Sequence, residues 1–160
     1  MKPRVAPPNP EYLKFLSPFE TRIRELALTT RELVLVEAPN STELIYDAYN
    51  AVATGYSFTG RPSDAFIHIA VYARWVNVGF NRGSELDDPQ GALQGSGRWI
   101  RHIRIADPGD LEKPMVRAFV KAAVARAVRP DPQVDKRPAT STSVVRAVYP
   151  RRRRPLIPTR

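Results

Sequence analysis

Cysteine is absent from the 160 residues. Its absence excludes disulfides, thiolate nucleophiles and the usual structural zinc sites, and nothing in the chain calls for an oxidising compartment. Histidine occurs only twice, as His68 and His102. No apolar run approaches the roughly 18 residues needed to cross a bilayer. The opening MKPRVAPPNPEY lacks the apolar stretch of a secretory signal. These gaps point to a cytoplasmic protein without a membrane span. Catalytic signatures are missing as well. No GxSxG elbow occurs, and the serines fall in caps, turns or the C-terminal stretch, so no catalytic residue is assigned.

What is present is basic. The formal net charge is +9, yet from Arg129 onward nine Lys/Arg face Asp131 and Asp135 for a net of +7, which leaves +2 for the first 128 residues. The length suits one domain with a real core. Three segments are expected: a flexible proline-rich lead-in over 1–16, a folded domain over 17–128, and a disordered basic tail over 129–160 whose proline, serine and arginine content cannot bury enough apolar surface to offset ordering.

Within the domain, Ser17, Pro18 and Glu20 read as a capping box. Behind it Phe19, Ile23, Leu26, Ala27, Thr30, Leu33 and Val34 form one helical stripe that Pro39 ends. Asn40 and Glu43 repeat the signal ahead of Leu44, Ile45 and Tyr49, which predicts a second, shorter helix. The period then changes to two in TGYSFTG, DAFIHIAVYA, WVNVGF and RWIRHIRIA, four strands with the second of them central. A last helix is expected over Pro108–Val128, with Leu111, Met115, Phe119, Val120, Ala123 and Ala127 on its apolar stripe. The fold class is therefore α+β: an antiparallel sheet of about four to five strands with N-terminal and C-terminal helices packed on it.

Five of the eight glycines fall in VNVGFNRGSELDDPQGALQGSGRWIRHIRI, residues 76–105, together with Arg82, Arg98, Arg101 and Arg104. The spacing is neither GxGxxG opening a helix nor GxxxxGK[ST], so dinucleotide and Walker readings fail. Two readings stay open. The loop presents amides and arginines to an anion, or its glycines serve backbone geometry alone, with DDPQGALQG as a one-turn helix capped by Asp87 or Asp88 and closed by a left-handed glycine.

The wording of this segment resembles the YdhG-like family of small domains of unknown function, whose members read like VNLGFFRGAEL, DP.G.L.G.GK and RHI.I. The pieces ELIYDAYNAVATGYSF and DAFIHIAVYARW fall where that family has its E.I.Y helix and central strand. The resemblance spans about Pro18 to Val128, and Asn81 and Trp99 depart from it. It implies the α+β fold. It also implies either no assigned activity or, as for some relatives, a frataxin-like iron chaperone.

Candidate sites follow from chemistry. A small or anionic ligand in a cleft between the sheet and the second helix would meet Tyr46, Tyr49, Arg82, Arg98 and Arg101. The aromatics Tyr46, Tyr49, Tyr56, Phe58, Tyr72 and Trp75 read either as its wall or as core. No cofactor is assigned. The metal alternative, iron, takes His68, His102 and Glu43, with Asp47 a further carboxylate near the last. Arg151, Arg152, Arg153 and Arg154 form a polyanion contact of salt-dependent affinity without sequence-specific base readout. The primary reading is a non-enzymatic ligand-binding module. The alternatives are the iron chaperone and nonspecific nucleic-acid association through the tail.

Overall fold

The computed structural model describes residues 5–134 and 141–150. Its order is α1 (Pro10–Leu16), α2 (Thr21–Glu37), β1 (Thr42–Asp47), β2 (Val52–Ser57), β3 (Ile67–Val71), β4 (Val76–Phe80), β5 (Arg101–Ile105), α3 (Pro108–Glu112), α4 (Pro114–Ala125) and β6 (Thr142–Val148). The six strands form one mixed sheet, ordered β5-β4-β3-β2-β1-β6. The fold is thus α+β. Five strands are antiparallel neighbours, and β6 pairs parallel to β1.

Alternation assigns the faces. Ile45, Tyr56, Ile69, Val78 and Ile103 point toward the helices and join one buried cluster with Ile23, Leu26 and Val34 of α2 and Val116 and Val120 of α4. Leu44 and Ala70, on the opposite face, are buried outside that cluster. The stripe on α2 is buried as its spacing requires, from Phe19 through Val34. No helix among the described residues is long and apolar enough to cross a membrane.

Several expectations are corrected. The lead-in is helical from Pro10, because the Asn9 side chain accepts the Glu11 amide at 2.9 Å and Tyr12 and Leu16 are buried. Ser17 does not open the next helix. It closes α1, its amide and hydroxyl both donating to Lys14 O, and α2 begins after Glu20, which caps nothing with its side chain.

The second helix is a hairpin, β1 and β2, turned through Tyr49 and Asn50 with the Ala48 amide donating to Ala51 O. Asn40 and Glu43 imitate a capping box, but Asn40 has φ 69°, a left-handed turn conformation that asparagine tolerates. Leu44 and Ile45 are both buried on opposite faces of β1, so the alternation that marks a strand is invisible in its hydropathy.

The last helix breaks at Lys113, whose extended backbone precedes Pro114, a residue without an amide to continue the ladder. The loop DDPQGALQG makes a turn, not a helix. Asp88 accepts the amides of Ala92 and Leu93, and Gly91 is left-handed with φ 63°.

The expected disordered tail contains β6. Its run of Thr142, Val144, Val145 and Val148 is strand-forming in a composition that proline and arginine dominate, and β1 offers it a free edge. Arg151 to Arg154 lie outside the described residues.

A buried polar network ties both ends of the domain to this edge. Glu43 accepts Arg31 Nε at 2.9 Å, the Tyr56 hydroxyl at 2.8 Å and the Ser143 hydroxyl at 3.0 Å. Arg31 also donates to the carbonyls of Ala6 and Pro7. The chain before α1 and the strand after α4 thus both hydrogen-bond to one ion pair.

Candidate functional site

The C-terminal end of α4 does not close onto the sheet. Phe119 reaches Phe80 with ring centroids 6.0 Å apart, but the next positions along the same stripe are Ala123 and Ala127. Ala123 lies on the same helix face as Phe119, and Ala127 follows just past the end of α4, so two small side chains leave room where larger ones would fill it. The result is a cleft of about 560 Å³ with Phe66, Phe80, Leu86, Ala123 and Ala127 as its apolar wall. Phe66 is held by stacking on Phe58 at 4.8 Å, and Arg129 sits 3.6 Å over the Phe58 ring.

The lip is charged. Arg82 follows β4, and the 3-10 turn Gly83–Glu85 brings Glu85 back to it at 2.7 Å. Arg126, the residue that ends α4, donates to the other oxygen of the same carboxylate at 3.0 Å. Hydrogen bonds from Arg82 first and Arg126 second hold the Glu85 carboxyl below its usual range. On the far side Asp64 takes Thr59 at 2.6 Å and Arg61 at 2.8 Å, and it too is held low, chiefly by Thr59. The charged residues of the mouth are thus Arg82 and Arg126, which converge on Glu85, and Asp64, which is held by Thr59 and Arg61. An apolar body with one anionic group fits this arrangement.

Of the five expected ligand contacts, only Arg82 lines the cleft. Arg98 lies with Arg82 on the exposed Trp99, their guanidinium carbons 4.8 and 4.2 Å from the ring centroid. Arg101 staples its own loop by donating to Gly97 O and Ile100 O. Tyr46 lies on the sheet face away from the helices, and Tyr49 is exposed in the β1–β2 turn, at the opposite strand ends from Arg82.

The aromatics divide in the same way. Tyr56 and Phe58 belong to the core, whereas Tyr72 and Trp75 stack on one another outside it. Glu43 is paired with Arg31 and faces the helices, while His68 and His102 flank Gly79 on the other face, so the expected ligand set is not assembled. No group of three His, Asp or Glu able to hold a metal occurs among the described residues.

Glu85, Arg126 and the two alanines are not legible as site residues. The only signal is the pair of small residues ending an otherwise bulky stripe. Compared with protein-family models, with curated proteins and with solved structures, the chain matches none.

Proposed function

We propose that the domain is a non-enzymatic binding module for a small amphipathic anion, held with its apolar part against Phe66, Phe80 and Ala127 and its charged group between Arg82 and Arg126. The observation that carries this reading is the lip of the cleft. Two guanidinium groups from elements far apart in sequence converge on a single carboxylate, above an apolar wall of pocket size. Glu85 occupies the position that a ligand carboxylate, sulfonate or phosphate would take. An incoming anion exchanges with Glu85 and leaves it to solvent. Membership of the YdhG-like domains belongs to the same proposal and rests on the wording of residues 76–105.

The test is titration of the full chain with decanoate and with anilinonaphthalene sulfonate, followed by calorimetry and fluorescence. Ala127→Trp fills the cleft, and Arg82→Ala with Arg126→Ala removes the fork. Each is expected to weaken binding at least about tenfold, the loss of one or two charge-assisted contacts, with little change in melting temperature. Glu85→Gln is expected to strengthen it. Affinity untouched by both the filled cleft and the lost fork would reject the site.

A further inference from the structure

The two cations at the lip of the cleft have supports other than the acid they hold. Arg82 lies on the Trp99 ring, its guanidinium carbon 4.2 Å from the centroid. Trp99 is fixed in turn, because its carbonyl accepts the Ser84 amide at 2.9 Å while the Ser84 hydroxyl donates to Arg98 O at 2.8 Å. The turn sits so close to β5 that a Cβ on Gly83 would lie 2.5 Å from that of Arg101. The glycine-rich loop is thus the buttress of Arg82. Arg126 is placed by α4, which packs on the sheet through Phe119 and Phe80.

Glu85 only partly satisfies what these cations offer. Three donors, Arg82 Nε at 3.2 Å, Arg82 Nη2 at 2.7 Å and Arg126 Nη2 at 3.0 Å, fall on two oxygens, and Oε2 takes two of them. Two positive charges face one negative charge. Arg98 shares the Trp99 ring with Arg82, 4.8 Å from the centroid, and has no ion pair among the described residues. The pairs are open to solvent, with 61% of the Arg82 side chain, 54% of Arg126 and 30% of Glu85 exposed, and ion pairs in contact with water hold weakly.

These facts discriminate between anions. A free carboxylate replaces Glu85 like for like and must compete with a carboxylate whose tether gives it a high effective concentration. It gains little from the exchange. A sulfate monoester brings a third terminal oxygen but still one charge. A phosphate monoester brings three terminal oxygens, one for each donor, and about two negative charges at neutral pH, which matches Arg82 and Arg126.

Given that the cleft is the binding site, we propose that the charged group of its ligand is a phosphate monoester, so that the domain takes an apolar molecule ending in a doubly charged phosphate. The phosphate bridges Arg82 and Arg126 in place of Glu85, and Arg98 adds to the positive field from the Trp99 ring. The apolar part lies against Phe66, Phe80 and Ala127.

The experiment titrates the full chain with decyl phosphate, decyl sulfate and decanoate by calorimetry. Decyl phosphate is expected to bind at least about tenfold more tightly than the other two at about pH 7.5, the gain of one further charge-assisted hydrogen bond. Lowering the pH to about 5 takes one charge from the phosphate, whose second ionisation lies near 6, and should remove most of its advantage over decyl sulfate. Arg98→Ala should weaken decyl phosphate more than decyl sulfate. The same head group also occurs on phosphatidic acid, whose chains stay in the bilayer, so phosphatidylcholine vesicles containing phosphatidic acid should bind more weakly than decyl phosphate. Equal affinity for the three amphiphiles, with Ala127→Trp still blocking them, would overturn the phosphate assignment and leave the cleft as the site of a less specific anion. Decyl phosphate that binds equally to the native chain, to Ala127→Trp and to the Arg82→Ala, Arg126→Ala double variant would overturn the cleft reading as well. Vesicle binding that exceeds that of decyl phosphate and survives Ala127→Trp would assign the fork to a membrane surface and overturn the proposal.

Discussion

Arg31 of α2 and Glu43 of β1 form an ion pair at 2.9 Å, with only 4% and 2% of their side chains exposed. Taking both charges from water is costly, and the pair persists because each partner is also hydrogen-bonded to other groups. Glu43 has Tyr56 and Ser143, and Arg31 has two carbonyls of the N-terminal segment. Arg31→Leu is therefore expected to cost about 3–5 kcal/mol by leaving Glu43 unpaired. Arg31→Leu with Glu43→Leu should recover much of that loss. Urea unfolding of the two variants checks it, and a double variant no better than the single would show that the pair's geometry, not its charge, sustains this edge.

Ser143→Ala removes the hydroxyl given to Glu43 Oε1 and should cost about 1.5–3 kcal/mol, as for a hydrogen bond to a charged group. Ending the chain before Ser141 goes further and uncovers the edge of β1. Hydrogen exchange should then accelerate in β1 while β3 and β4 keep their protection, and solubility should fall as an unpaired edge seeks partners. Unchanged protection in β1 would mean that β6 contributes nothing to the sheet.

Gly79→Ala places a Cβ inside the space of the His68 ring. The expected loss is about 1–3 kcal/mol, typical of overpacking. His68→Ala in the same chain removes the obstacle. The two substitutions together should cost less than the sum of their separate effects by more than about 1 kcal/mol. Thermal melts of the four chains form the cycle, and strict additivity would remove the contact from the account.

Both histidines are held below their ordinary value, His68 mainly by burial and then by the nearby His102, His102 by burial and by Arg104. Below the unfolded value near 6.5 the unfolded chain takes up protons that the folded chain refuses. The stability linked to these groups is thus complete above about pH 7 and falls as the pH drops through that window toward the folded values. The gap in stability between the native chain and His68→Gln should be larger at about pH 7.5 than at about pH 5.5, with a smaller change for His102→Gln. A gap that is constant with pH would mean that His68 titrates normally.

How much of this is legible in the sequence depends on how each element is stabilised. Helix α2 is readable because one face is buried and the other is wet, so its period shows in the residues themselves. Strands β3, β4 and β5 are readable from branched and aromatic residues between turn signals. Strand β1 is not, since both its faces are buried and Asn40 and Glu43 copy a helix start. Neither is β6, whose strand-forming run sits among arginines and prolines and becomes a strand only beside β1. Arg82 is marked as an anion contact by its charge in the glycine loop. Its partner Arg126 is not, because nothing local marks a helix-end arginine as the neighbour of a turn 41 residues earlier.

The sequence by itself determined the α+β class, the α2 stripe, the run of antiparallel strands and the concentration of positive charge from Arg129 onward, since these depend on period and composition along a short stretch. The tertiary structure alone decided which face each strand presents to the helices, and hence that Glu43 is buried against Arg31 while His68 and Arg104 lie on the opposite face of the sheet. It also decided that Ala123 of α4 and Ala127 just beyond its end line a cleft with Phe66 and Phe80. These facts depend on contacts between residues far apart in the chain, and no local pattern encodes them.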